Sequence, residues 1–370
     1  MSLPKLDPIP IPAPIWLMKF LSYVTLALHF AAVMILVGSL ILVIWHNVNG
    51  RSKKDADRIN AANVLARRLP TIMTWVINLG VPPLLFAQVL YGRAIYSSSV
   101  LIGVMWLSVI FQVILCYGML YKTQGWLEQN KAAWIPASIA LLLTLGIGQV
   151  YAMNMTLMLR PEVWQEMYAK SPMGLQGYKG DPTTTPRWLF VMSGGLVFGG
   201  IWALTHSNMA HLTDAVKRIL AKSGGMMAGL GVVLQLVCAF MVYSAQPEVV
   251  KSGMAGNLFY TIGGGLTVVG ILGGGLLALM QGLKGKASFW GSVLAALLVF
   301  LGNAGAVIYR DGIRDVTLAP KGLNVWERTE ASNWTVIGAF LLLFVIMLFV
   351  IFWLLKVMKS ADAPQEQVAL

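Results

Sequence analysis

Nine stretches of this chain are apolar over the length needed to cross a bilayer, and none of them contains an Asp or a Glu. They fall at about 16–45, 71–98, 100–122, 132–159, 188–206, 226–244, 258–280, 287–308 and 334–357. A hydrocarbon core about 30 Å thick takes roughly 20 apolar residues of helix. Lipid offers no partner to an open backbone, so each stretch is expected to be helical. The fold class that follows is all-α, a polytopic membrane helical bundle with about nine transmembrane helices. Acids inside a membrane mark proton paths, ion sites and counter-ions, and these spans supply none.

Composition agrees: 57% of residues are hydrophobic and 11% charged. The segments between spans are too short to enclose a core of their own; the longest, 160–187 and 309–333, run to 28 and 25 residues. One membrane domain is therefore expected over 1–370. It divides into an extended N-terminal segment (1–15), a four-helix bundle (16–159) and a five-helix bundle (188–357). The first span is about 30 residues long and lacks a small-residue cleavage site, so it reads as a retained helix rather than a cleaved signal.

The net charge of +12 would suit a nucleic-acid binder, but its distribution gives it another meaning. With the N-terminus outside, the inner segments hold Arg51, Lys53, Lys54, Arg58, Arg67, Arg68, Lys122, Lys131, Lys217, Arg218, Lys222, Lys284, Lys286, Lys356 and Lys359. That is 15 basic residues against 6 acidic, leaving 12 and 9 for the outside. The bias is steepest in the first loop, and Lys and Arg beside short loops set orientation. The basic charge reports topology and contact with the bilayer, with no nucleic-acid partner implied.

The run Pro4–Pro14 is proline-rich, hence extended, and is expected along the outer surface. Loop 47–70 reads as a short basic helix on the inner surface, drawn to anionic headgroups or offering a docking surface. Gly80-Val81-Pro82-Pro83 removes two backbone donors within span 2, which should kink or break it; it is a packing kink or the lining of a ligand site. The glycines at 263–265, 270 and 273–275 permit close helix approach. Segment 309–333 alternates basic and acidic residues above span 8, either capping the bundle with ion pairs or docking a partner. Cys116 and Cys238 lie inside spans and behave as small hydrophobes. There is no Cys-x-x-Cys-His, so no covalent c-type heme within this chain.

Of four histidines, His29 stands near the middle of span 1. A neutral imidazole in hydrocarbon needs a partner, so His29 is either a heme-iron ligand or a hydrogen-bonded core residue. His46 and His206 fall at the inner ends of their spans, at similar depth. They read as solvated, with a bis-His heme as the alternative, and His211 lies in the following loop. Trp75, Asn78, Gln88 and Trp106 are polar or amphipathic residues in apolar spans, and so are candidate liners of a quinone pocket between helices.

Taken together, the nine spans, the outside N-terminus, and His29-Phe30 followed nine residues later by Gly38 resemble subunit I of the cytochrome bd quinol oxidases. Gly80-Val81-Pro82-Pro83 and Phe86-Ala87-Gln88-Val89-Leu90-Tyr91-Gly92 are similar to that family's second helix. The resemblance implies that His29 meets a heme b. It also places Phe190, nine residues before Gly199, where the family has its low-spin heme histidine, and phenylalanine cannot bind iron. The family's third-helix glutamates are missing from 100–122, and its long loop after helix six is reduced to 244–257.

What the resemblance implies is therefore a ligand-depleted relative: a bacterial inner-membrane subunit of a respiratory electron-transfer complex. It would hold one heme b at most, or a quinone, and pass electrons to a periplasmic c-type cytochrome rather than to oxygen. A cofactor-free scaffold subunit and a transporter are the competing readings. The topology predicts that a reporter fused after residue 68 reads cytoplasmic and one near residue 175 reads periplasmic. The reverse pattern would contradict it.

Overall fold

The computed structural model describes residues 9–178 and 180–361. Twelve α-helices follow one another: α1 Ile15–Lys53, α2 Ala56–Ala66, α3 Leu69–Leu101, α4 Gly103–Glu128, α5 Trp134–Leu157, α6 Trp164–Lys170, α7 Thr184–His206, α8 Asp214–Ser244, α9 Glu248–Ala255, α10 Leu258–Lys284, α11 Phe289–Leu318 and α12 Trp334–Ala361. Among the described residues nine are long and apolar enough to cross a membrane: α1, α3, α4, α5, α7, α8, α10, α11 and α12. The all-α polytopic fold class therefore holds. Among the described residues the only extended pairing is an isolated bridge between Ile11 and Glu330.

Because lipid tails are as apolar as leucine, helices in a bilayer associate through close packing and small residues rather than by escape from water. The chain follows that rule in a series of backbone contacts. A Cβ on Gly38 of α1 would overlap the carbonyl of Gly195 on α7, and Gly200 of α7 faces Gly224 of α8 in the same way. Gly225 of α8 meets Gly282 of α10, and Gly270 of α10 meets Gly302 of α11. The glycines of span 7 thus serve helix packing. Helix α1 lies deepest, with 56% of its most apolar window buried, whereas α12 has 6% and leaves most of its surface uncovered.

Four local expectations are corrected. Helix α3 continues through Pro82 and Pro83, and its backbone departs from helical geometry at Tyr91 instead (φ −125°, ψ 24°). Helix α2 is capped by Asp55, whose side chain accepts from the Arg58 amide at 3.1 Å. It buries Ala61, Ala62, Leu65 and Ala66 against α1 and neighbouring helices, so its apolar face rests on protein rather than lipid. Of the N-terminal run, residues 1–8 lie outside the described residues. Ile11, the sole amide donor between Pro10 and Pro12, donates to the Thr329 carbonyl and accepts from the Ala331 amide, both at 2.9 Å. This segment is thereby fixed to the chain before α12 instead of spreading over a surface.

The fourth correction concerns 309–333. Its first ten residues do not leave the bundle: they complete α11, which extends to Leu318. Asp311 and Asp315, one turn apart, then share a helix face that points at α1. Lys19 of α1, 2% exposed, donates to Asp311 at 2.6 Å and to Asp315 at 2.7 Å. The single hydroxyl hydrogen of Tyr91 is shared between the two carboxylates, whose oxygens lie 2.8 and 2.6 Å from the Tyr91 oxygen. Tyr23 donates to Asp311 at 2.8 Å and Tyr260 to Asp315 at 2.9 Å. Trp326 adds its indole N–H to Asp315 at 3.1 Å, and Arg314 approaches Asp311 at 3.3 Å. Of the two alternatives for this segment, capping by ion pairs is present in the fold.

Nearby, Lys321 donates to the Leu159 carbonyl at 2.7 Å and to Glu162 at 2.9 Å. Partial burial alone would raise the Glu162 carboxyl, but the Lys321 ammonium outweighs it and holds that group below the ordinary carboxylate range.

The ion cluster generates a stability prediction. Removing one partner of a buried charge network leaves the others uncompensated, at a cost of about 3–5 kcal/mol. Lys19→Met is expected to lower the detergent-solubilised melting temperature by several degrees, while Lys170→Met, on an exposed pair, leaves it in place. Equal melting temperatures for Lys19→Met and the parent would show that the ammonium is not required.

Candidate functional site

Helices that touch through glycine also line a cavity of about 370 Å³. Phe30 of α1 closes one side, Phe190 and Val191 of α7 a second, Leu236, Ala239 and Phe240 of α8 a third, and Gly264, Thr267 and Val268 of α10 a fourth. Helix α11 completes the wall with Asn303, Ala306, Val307 and Ile313. Gly264, Ala239 and Ala306 bring too little side chain to fill the space between these helices, which is why it stays open. Phe240 and Val268, at 68% and 43% exposure, stand at its margin between α8 and α10.

Six polar side chains line this mostly apolar space: Tyr243, Tyr309, Thr267, whose hydroxyl is spent on the Gly263 carbonyl at 2.8 Å, and three with larger polar groups. Arg187, in the first turn of α7, donates from Nε to the Thr183 hydroxyl at 3.0 Å. The carboxylate that might have neutralised it, Asp181, is held by Arg160 at 2.7 Å. Arg310 lies with its guanidinium carbon 5.9 Å from the Phe30 ring centroid. Neither guanidinium has a carboxylate within salt-bridge distance among the described residues. The third is Asn303, 3% exposed, whose amide nitrogen donates to the Ala27 carbonyl at 2.8 Å. Its carbonyl oxygen Oδ1 is buried and accepts nothing. Such orphaned acceptors are rare in native folds.

His29 faces the other way, onto α3. Its Nδ1 lies 3.0 Å from the Val76 carbonyl, so Nδ1 carries the proton and Nε2 keeps its lone pair. Gly80 packs against the ring; a Cβ there would come within 2.8 Å of Cε1. This close approach explains the glycine ahead of Val81-Pro82-Pro83. The hydrogen-bonded reading of His29 is thus realised. A donor bond from one ring nitrogen to a backbone carbonyl is also how iron-ligating histidines are oriented, so Nε2 is the atom through which His29 would hold a heme iron. Among the described residues, no group of three or more His, Cys, Asp and Glu gathers to hold a metal ion.

His46 and His206 are buried, at 0% and 4% exposure, not solvated as their place near span ends implied. Ser223 uses its hydrogen on the Ile219 carbonyl at 2.8 Å, so it accepts from His46 Nε2 at 3.0 Å. His46 Nδ1 is then a buried lone pair without a partner. His206 donates from Nδ1 to the Trp202 carbonyl at 2.9 Å, with its ring 4.5 Å from the Trp202 ring. The hollow beside His46 is lined by Trp45, Arg58, Arg218 and Lys222, and His206 is not part of it. The Nε2 of His46 being spent on Ser223, this arrangement does not fit a bis-His heme.

The four quinone-pocket candidates are not brought to the large cavity. Asn78 is exposed and donates back to the Thr74 carbonyl one turn earlier in α3, at 2.9 Å. Trp75 and Gln88 are half-buried on α3, more than three turns apart, and Trp106 packs edge-on against Tyr151 at 4.8 Å. Cys116 and Cys238 are free and buried. Sequence reasoning missed Arg187, Arg310 and Asn303. The signal for Asn303 was a lone amide within span 8. Arg310 could be found only by carrying the helix seven residues past Asn303, two turns along the same face.

No protein-family model and no curated relative matches the sequence. Among solved structures the chain is similar to the bd oxidase from Geobacillus thermodenitrificans, with a TM-score of 0.68, over 96% of this chain and 100% of that one, at 13% sequence identity. The nine-span bundle therefore shares a distant bd-like fold.

Proposed function

We propose that this chain is the membrane subunit of a quinone-linked respiratory complex, a divergent relative of bd oxidase subunit I that does not itself reduce oxygen. It sits in the bacterial inner membrane with its N-terminus periplasmic and C-terminus cytoplasmic, as the Lys and Arg distribution implies. Its partners are other subunits of the complex, including a periplasmic c-type cytochrome that accepts the electrons. Supporting the reading is the bd-like fold over nearly the whole chain, combined with the orientation of His29: Nδ1 committed to Val76 and Nε2 available.

Heme b, when bound, supplies a one-electron carrier, and His29 is the residue that would hold it. The chain's own contribution is to keep that imidazole neutral, in one tautomer and in one plane, between Val76 and Gly80. Oxygen reduction is set aside because Phe190 stands at an expected ligand position and 100–122 has no carboxylate. The cofactor-free scaffold is the second reading; the tight fit of Gly80 on the His29 ring and Phe190 favour it.

Reduced-minus-oxidised spectra of the purified complex separate the two. His29→Ala is expected to remove one b-type signal while the complex keeps its elution volume, and the chain alone is expected to show no quinol-dependent oxygen uptake. An unchanged spectrum in the variant would refute ligation by His29; a parent complex without any b-type signal would favour the scaffold.

A further inference from the structure

We propose that the hollow between α1, α2 and α8 binds one anionic phospholipid whose headgroup carries a free hydroxyl, a glycerol phosphodiester. Its phosphate pairs with Arg218 and Lys222, and the hydroxyl donates to His46 Nδ1. The site does not depend on the chain holding a heme or meeting a quinone. Ala215, Arg218, Ile219, Lys222, Ser223 and Met226 line the hollow from α8, and their spacing of three and four residues puts them on one helix face. Trp45 and His46 of α1 and Arg58 of α2 complete the wall around about 540 Å³, a volume in the range of ligand sites. Asp55 is taken by Arg58 at 3.2 Å, and Asp214 lies with Lys217 at 3.8 Å. Arg218 and Lys222 have no carboxylate within salt-bridge distance among the described residues. Three cations against the one carboxylate of Asp55 leave the hollow net positive.

The order of residues along that face selects an amphiphile over a soluble anion. Arg218, Lys222 and Met226 follow one another at four-residue steps, about 6 Å each, from the start of α8 toward its middle. Past Met226, the side chains of Leu230, Val233 and Val237 continue exposed at the same helical spacing, within a helix apolar enough to span. Charge at the helix end and an apolar track beyond it match a phosphate with an acyl chain attached. Trp45 is exposed near the end of α1, where an interfacial ring marks headgroup level. Basic pockets between membrane helices suit anionic headgroups. The orphaned nitrogen then narrows the headgroup. With Nε2 donating to Ser223, His46 Nδ1 is a buried lone pair that receives no donor. An ionised phosphodiester has no hydrogen to give, so the donor lies beyond it, as O–H or N–H. The three cations repel an ammonium, which leaves a hydroxyl.

The test is native mass spectrometry of the purified full complex, delipidated in detergent and titrated with dioleoyl phosphatidylglycerol, phosphatidylmethanol or phosphatidylcholine. The parent is expected to retain one phosphatidylglycerol at least tenfold more tightly than phosphatidylcholine. It is also expected to prefer it several-fold over phosphatidylmethanol, which has the charge without the hydroxyl. Arg218→Gln combined with Lys222→Gln, both at exposed positions and so compatible with folding, is expected to erase the first preference. His46→Leu is expected to erase the second alone; should that variant fail to assemble, the parent's preference between the two anionic lipids still decides the role of the hydroxyl. Lys122→Gln combined with Lys131→Gln removes as much exposed charge from α4 and the turn after it, and is expected to bind as the parent does. Equal binding of phosphatidylglycerol and phosphatidylcholine by the parent, or an equal loss in the two double variants, would overturn the site. Equal binding of phosphatidylglycerol and phosphatidylmethanol by the parent would overturn the hydroxylated headgroup. Displacement of the lipid by millimolar inorganic phosphate would make this a soluble-anion site and equally refute the proposal.

Discussion

Everything in this bundle depends on how near one helix backbone can come to the next. In lipid there is no gain from hiding leucine, so association relies on dispersion and on removing the side chains that would keep backbones apart. The run of glycine contacts from Gly38–Gly195 through Gly200–Gly224 and Gly225–Gly282 to Gly270–Gly302 joins α1, α7, α8, α10 and α11 at short range. Gly264, Ala239 and Ala306 carry the small-residue surface of these helices into the cavity wall.

The charged residues at the N-terminal end of α1 belong to the same logic. Lys19, Asp311, Asp315 and Arg314 sum to neutrality, and their remaining hydrogen-bonding capacity is met by Tyr23, Tyr91, Tyr260 and Trp326. A buried network is stable only when each member is satisfied, and this one draws on four helices and a loop to achieve it. Arg187 and Arg310 lie near it with no carboxylate within salt-bridge distance among the described residues.

On the bd-like scaffold the two sides of α1 have different fates. His29 points to α3, where Val76 and Gly80 fix its tautomer and plane. Phe30, one residue on and about 100° around the helix, points to the cavity that Phe190 also lines. A ring that could ligate iron and the apolar cavity therefore lie back to back across a single helix.

The sequence by itself determined the number of spans and the helical class, since apolar length and the cost of an unpaired backbone in lipid leave no other solution. It also exposed the glycine-rich helix packing and the isolation of His29. It misplaced the α3 irregularity, the end of α11 and the burial of α2 and of His46 and His206, and it did not locate the cavity between α7, α8, α10 and α11. Each of these depends on which helix faces which, a relation between residues far apart in the chain: Lys19 with Asp311, Ala27 with Asn303, His46 with Ser223. Hydropathy reports how a segment partitions between water and lipid but not its rotation about its own axis. Only the tertiary structure decided that rotation, because it is set by side-chain fit and polar satisfaction between neighbouring helices.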